Sequence, residues 1–268
     1  MLNTKFLVFS FTLLLLCLSC NNSNPSATAE QAKIKPAKVR TSILFPENNN
    51  WITYLNAGSD SLANLYAEDA VKILVDGTIL SGQTAIKDYL HGALPKINAI
   101  QSDTIILAHQ ERALSYELGV FTDVDQKKYQ HLIIWQVQDA ASVRVFEFVA
   151  PQLEAVESYE ELEERRALWM ELCNRHEVKQ LIYNLYAEET LYFNHRPLLK
   201  GRAALVKAYQ YMKDENYQLS LWPIVVRQVS PDFIFEIGQC AGSYQGKYIL
   251  IWQRTEEGQW NIFIDSNI

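Results

Sequence analysis

Glu117 and Glu236 are the first residues to weigh for chemistry. Each is a lone carboxylate in an apolar, strand-like run, Tyr116-Glu117-Leu118-Gly119 and Phe235-Glu236-Ile237-Gly238. A carboxylate held away from water resists ionisation, so its pKa rises and it can act as a general base near neutral pH. Alternation places Glu236 on the face of Ile234, opposite Phe233, Phe235 and Ile237. Two readings stay open: a pocket acid, or a carboxylate on an open sheet face, bonded to a neighbouring strand or domain. Asp265 closes the last strand and, counted the same way, shares a face with Phe263 and Asn261. It either points into a pocket mouth or caps the strand in solvent. Tyr248 could supply a hydrogen bond beside such a base. His195, in the loop Asn194-His195-Arg196-Pro197, could exchange protons or hold an anion, or be an ordinary loop histidine. The five histidines show no metal-ligand spacing, and there is no CxxC, GxSxG, phosphate loop, HExxH or dinucleotide glycine pattern. No cofactor and no metal are therefore expected.

The elements that must position these residues are written twice. Trp51 and Asn56 match Trp169 and Asn174; Leu65-Tyr66-Ala67-Glu68-Asp69 matches Leu185-Tyr186-Ala187-Glu188-Glu189. Leu80-Ser81-Gly82 matches Leu199-Lys200-Gly201, Ile134-Trp135-Gln136 matches Ile251-Trp252-Gln253, and Phe146 matches Phe263. Order is kept throughout, so the unit is a domain present in two copies. Each copy begins with a helical stretch, near 48–66 and 156–186. A short strand follows near 70–75 or 190–194, then a helix opened by Gly82 or Gly201. Long strands close the unit, in the second copy near 217–228, 232–241, 246–254 and 259–265. Helices followed by a run of antiparallel strands make an α+β fold. Tyr248-Ile-Leu-Ile-Trp252 is apolar on both faces and should run mid-sheet. Tyr66 and Tyr186 read as core rings with a hydroxyl partner, and Asp69 and Glu189 as turn residues before a strand. Trp51, Trp135, Trp169 and Trp252 read as core, or as the wall of a pocket for an apolar ring.

This pattern resembles the nuclear transport factor 2-like superfamily, which includes ketosteroid isomerases and SnoaL-like cyclases. The motifs that carry the resemblance are LYAEDA, the L-x-G-x-x-A-I helix, YFNHRPLLKG and GKYILIWQRTEEGQWNIFIDSN. It implies two tandem cone-shaped domains, 45–150 and 155–268, each with N-terminal helices packed on a strongly bent, mostly antiparallel sheet. It also implies a pocket at the open end and pairing through sheet faces, so that the two copies form an internal pseudo-dimer. In catalytic relatives of this fold an acid base works beside a tyrosine and a second acid, the example that ketosteroid isomerase itself supplies. The pocket candidates so implied are Trp169, Asn174, His195, Glu236, Trp252 and Asp265, with Trp51 and Glu117 in copy one. Copy one carries Phe148 at the place read as equivalent to Asp265, so that acid is expected in copy two alone.

Residues 1–19 read as an export signal: one positive charge at Lys5, the apolar run Phe6–Leu18, then Leu18-Ser19-Cys20. The end of this run resembles a bacterial lipoprotein signal, departing from the usual pattern at Cys17. The resemblance implies lipid on Cys20 and attachment to a bacterial membrane in the cell envelope, on the periplasmic face or the cell surface. Residues 20–44 read as a flexible tether. Net charge is −7 and the basic residues are scattered, which argues against nucleic acid as a partner. Cys173 and Cys240 are left for the folded part, as buried thiols or a disulfide. The expected function is non-catalytic binding of a small apolar or amphipathic ligand or an envelope partner. The alternatives are an isomerase, cyclase or hydratase using Glu236 or Asp265 as base, and a purely structural interaction module.

Overall fold

The computed structural model describes residues 45–138, 141–153, 159–194 and 197–267. The signal, Cys20, the tether and His195 lie outside them. In copy one, helix α1 (Pro46–Asn56) and a 3-10 turn (Asp60–Leu65) precede strands β1 (Tyr66–Ile73) and β2 (Ile79–Ser81). Helix α2 (Gln83–Ala93) follows, then strands β3 (Ile97–His109), β4 (Leu114–Asp123), β5 (Lys128–Gln138) and β6 (Ala141–Pro151). Copy two repeats the plan. Helices α3 (Glu160–Asn174) and α4 (Val178–Leu185) lead to β7 (Tyr186–Tyr192), β8 (Leu199–Lys200) and helix α5 (Arg202–Ala208). Strands β9 (Leu219–Ser230), β10 (Phe233–Gly242), β11 (Gly246–Arg254) and β12 (Trp260–Asn267) complete it. Among the described residues no helix is long and apolar enough to cross a membrane.

Each copy folds as a six-stranded sheet, in the orders β2-β1-β6-β5-β4-β3 and β8-β7-β12-β11-β10-β9. Pairing is antiparallel except for β1 with β6 and β7 with β12. The result is two tandem, cone-like α+β domains. Strand β11 runs between β10 and β12, as its two apolar faces require. Three details depart from the sequence reading. The single helical stretch of copy two breaks at His176, whose φ of 62° cannot continue a helix. The chain is already extended at Tyr66 and Tyr186, so Asp69 and Glu189 lie inside strands β1 and β7 rather than in turns. Finally, Phe263 is an extra residue: Ile251 pairs Ile264 while Trp252 pairs Ile262. Such a bulge turns every later side chain to the opposite face. Asp265 is therefore opposite Leu250, on the helix-covered face, and does not share a face with Phe263.

The two faces of the second sheet do different work. Ile234, Tyr248, Leu250, Trp252 and Ile262 pack under their own helices with Trp169, Leu181 and Leu185. Phe233, Phe235, Ile237, Ile249, Ile251 and Phe263 belong instead to one apolar cluster with Phe146 and Phe148 of copy one. Phe148 lies 5.7 Å from Phe233, 5.6 Å from Phe235 and 6.2 Å from Phe263, centroid to centroid. Phe146 sits 5.3 Å from Phe193. At the margin Arg227 pairs with Asp103 at 2.5 Å, and the Leu153 amide donates to the Val229 carbonyl at 3.0 Å. All described residues fall within one compact unit.

Candidate functional site

The repeated Glu-x-Gly motif has a packing cause. Glu117 and Gly119 point to one face of β4, and Glu236 and Gly238 to one face of β10. Gly119 pairs with His131 on β5, and Gly238 pairs with Tyr248 on β11. A Cβ on either glycine would collide with the opposing ring. The missing side chain lets that ring lie flat and reach the neighbouring carboxylate. Tyr248 Oη donates to Glu236 Oε1 at 2.9 Å, and His131 Nε2 is 3.1 Å from Glu117 Oε1. Trp252 Nε1 donates to Glu236 Oε2 at 2.9 Å, and Trp135 Nε1 donates to Glu117 Oε2 at 2.5 Å. Helix residues close the set: Arg166 Nη1 pairs with Glu236 at 2.9 Å, and Asn48 Nδ2 donates to Glu117 at 2.9 Å. Ser102 donates a further bond to Glu117 at 2.6 Å.

Both glutamates are fully buried, with both oxygens occupied. Burial pushes Glu236 up, against Arg166, Trp252 and Tyr248, which pull it down. Burial also pushes Glu117 up, but His131, Ser102 and Arg144 outweigh it and hold the acid at about 2. A carboxylate bonded both from a helix and from the neighbouring strand is a brace between helix and sheet. Asn174 is a brace too. It donates to the Leu219 carbonyl at 3.0 Å and accepts from the Leu219 amide at 2.7 Å, as Asn56 does at Ile97.

A second pair of acids recurs one strand further on. In the first sheet Trp135 pairs Arg144 and Ile134 pairs Phe146, so Val145 is the bulge matching Phe263. Phe146 is thus equivalent to Ile264, and Glu147, opposite Ile133, is equivalent to Asp265, opposite Leu250. Matching Phe146 to Phe263 sets Phe148 against Asp265, one residue out of register, which hides this repeat. In both copies a tyrosine opening the first strand holds the acid. Tyr66 Oη donates to Glu147 at 2.6 Å, and Tyr186 Oη donates to Asp265 Oδ2 at 2.8 Å.

Here the copies part. In copy one, Glu147 also faces Lys72 at 3.1 Å and Arg144 at 3.3 Å, all three buried. Burial raises Glu147, but the two cations and Tyr66 bring it to about 2. The Arg144 guanidinium fills the centre of the domain, 4.7 Å from the Trp51 ring, 5.2 Å from Trp135 and 5.6 Å from Tyr66. Trp51 Nε1 donates to Tyr66 Oη at 2.9 Å. In copy two, Ile262 occupies the register of Arg144 and Tyr192 that of Lys72. Among the described residues no cation pairs with Asp265. Tyr186 and Tyr209 both donate to Oδ2, while Oδ1 is buried without a partner among the described residues. The Trp169 indole N–H, equivalent to the bonded one of Trp51, is likewise unpartnered. Burial pushes the Asp265 carboxyl up to about 6 against the pull of the two phenols.

Both orphan groups line one cavity of about 20 Å³, walled by Tyr209, Tyr211, Tyr217, Tyr244 and Tyr248. That is room for about one water molecule or one hydroxyl group. Of the residues singled out from sequence, Trp169, Tyr248 and Asp265 line it; Glu236, Trp252 and Asn174 do not. Trp51 and Glu117 are buried in the interior of copy one, and His195 lies outside the described residues. Tyr209, the second donor to Asp265, lies in a 3-10 turn and carried no sequence signal. Cys173 and Cys240 are separate buried thiols, pushed by burial to about 12 and about 11. Among the described residues no group of three or more metal-ligating side chains is assembled.

One copy at a time is similar to solved structures described as a nuclear transport factor 2-like protein of unknown function from Shewanella oneidensis, and a ketosteroid isomerase-like protein from Erwinia carotovora. The first is 14% identical over 40% of this chain and 96% of that chain, with a TM-score of 0.37. The second is 19% identical over 41% of this chain and 98% of that chain, with a TM-score of 0.33. ActVI-ORFA from Streptomyces coelicolor is similar at 13% identity over 41% and 95%, with a TM-score of 0.35. No protein-family model and no curated protein matches the sequence.

Proposed function

We propose that copy two is a small-molecule binding domain and copy one its closed scaffold, on a chain exported and held to the bacterial envelope by lipid on Cys20. One observation carries the binding reading. The buried donor and acceptor positions that copy one satisfies internally are left open in copy two, at Trp169 Nε1 and Asp265 Oδ1, facing one cavity. An unmet buried polar group costs about 1–3 kcal/mol, so a partner that satisfies both groups gains that much. The cavity holds only a small part of a ligand; the rest must lie beyond its tyrosine walls. Native mass spectrometry of the protein purified from its own membrane tests the proposal. A retained molecule, lost on substitution of Asp265, supports it; a bare chain mass from gently extracted protein refutes it.

A catalytic reading is favoured by Asp265 alone. A buried carboxyl titrating at about 6 between two phenols could accept a proton at neutral pH. Its substrate would bind at the same place. Proton exchange from a bound carbonyl compound in D₂O, lost in Asp265→Asn, separates this reading from simple binding.

A further inference from the structure

The walls of the Asp265 cavity have a second side. Tyr211, Tyr244 and Asn267 line the small cavity and also a groove of about 1500 Å³ between the copies. Its far wall is the β3–β4 turn of copy one, His109, Gln110, Glu111 and Arg112. A further section of about 850 Å³ continues it, sharing Arg112, Asn194 and Pro197. The partition is aromatic and thin. Tyr211 is 47% exposed, and Tyr244 folds back over Gly246, where a side chain would meet its hydroxyl. Rotating two tyrosine side chains would join groove and cavity without moving a strand. An exposed ring such as that of Tyr211 changes rotamer in picoseconds to nanoseconds, while Tyr244 is half-buried.

The two orphan groups specify what enters. Trp169 Nε1–H needs an acceptor and Asp265 Oδ1 needs a donor. One hydroxyl group is both at once and fits about 20 Å³. A carboxylate offers no donor and brings a second negative charge against Asp265. An ammonium offers no acceptor to the indole. We infer that the ligand is a neutral alcohol, its hydroxyl between Trp169 and Asp265 and its body passing Tyr211 and Tyr244 into the groove, where copy one forms the opposite wall. This rests on copy two being the binding domain. It adds a ligand chemistry and a role in recognition for copy one.

Calorimetric titration of the full-length mature protein with 1-octanol, octanoate and octylamine tests it. 1-Octanol is expected to bind at least about tenfold more tightly than either ion, because each ion leaves a buried group unmet. In Asp265→Asn the amide oxygen can accept from the tyrosines and the amide N–H₂ then faces the cavity, so the preference should turn to octanoate. Gln110→Trp, on the exposed turn of copy one, should weaken 1-octanol at least about tenfold by filling the groove. An ion that binds the unsubstituted protein as well as the alcohol overturns the hydroxyl assignment, and so does an Asp265→Asn preference that stays with 1-octanol. Unchanged affinity in Gln110→Trp overturns the role of copy one while leaving the copy-two site standing. No binding of any of the three overturns both.

Discussion

Replacing Asp265 by Asn should change how stability depends on pH more than it changes stability itself. An unfolded aspartate titrates near 3.8, and burial lifts the folded one to about 6. The folded state therefore holds this proton more tightly than the unfolded state. Below about pH 3.8 both states are protonated and the shift contributes nothing. As pH rises toward 6 the unfolded chain ionises first, so stability falls. Above about pH 6 the whole penalty is present, roughly two units at about 1.4 kcal/mol each, or about 3 kcal/mol. Asparagine cannot titrate, so the stability of the variant relative to the parent should rise by about that amount between pH 4 and 7. Glu117 and Glu147, held at about 2, act the other way: their stabilisation is present above about pH 4.5 and is lost toward pH 2. They are the same in both proteins and cancel in the difference. Urea unfolding of the two proteins at unit steps of pH measures it directly. A difference that stays flat would show that Asp265 is ionised as easily inside the domain as outside. A difference running the other way would show that the phenols of Tyr186 and Tyr209 outweigh burial.

Arg144→Leu should be among the most damaging single changes, costing about 3–5 kcal/mol in urea unfolding, because it strips a buried partner from Glu147 and from Asn48. The equivalent residue of copy two is already Ile262, so Ile262→Leu should cost less than about 1.5 kcal/mol in the same assay. Gly119→Ala and Gly238→Ala should each destabilise by about 1–3 kcal/mol, by pushing the His131 or Tyr248 ring off its carboxylate; a stability equal to the parent's would refute the close-approach account. Cys20→Ser should move the protein from the detergent-extracted membrane fraction to the aqueous one and remove a lipid mass from its N-terminus.

The architecture was legible because the sequence repeats it. Two copies of LYA, of Glu-x-Gly and of Ile-Trp-Gln at nearly constant offset fix helix, strand and sheet in one domain by reference to the other. Glu117 and Glu236 were visible as carboxylates in apolar runs, and the reading that bonds them to a neighbouring strand matches where Tyr248 and Trp252 lie. What stayed hidden is the Asp265–Glu147 pair, and the reason is one residue. Period-two counting cannot see a bulge, and Val145 and Phe263 each flip the strand that follows. Lys72 and Arg144 were hidden for another reason: a basic residue in a strand reads as solvent-facing by default. The available signal was their company, Ala-Val-Lys-Ile-Leu and Ser-Val-Arg-Val-Phe, with apolar residues on both faces. The cavity itself had no signature, being a gap among side chains drawn from helices and strands far apart in sequence.

The phenylalanine layer around Phe148 joins two domains that are parts of one polypeptide, and this bears on how they could diverge. In a pair assembled from identical chains every substitution appears twice, so a residue that plugs one interior plugs both. Joined in one gene, the halves are free of that symmetry. An arginine at the centre of one half costs the other nothing. Each half can then be selected separately, one around its buried arginine and the other around the unmet Trp169 and Asp265 groups. The two interiors, one built round a buried arginine and one round an isoleucine, are what such a division of labour would leave behind.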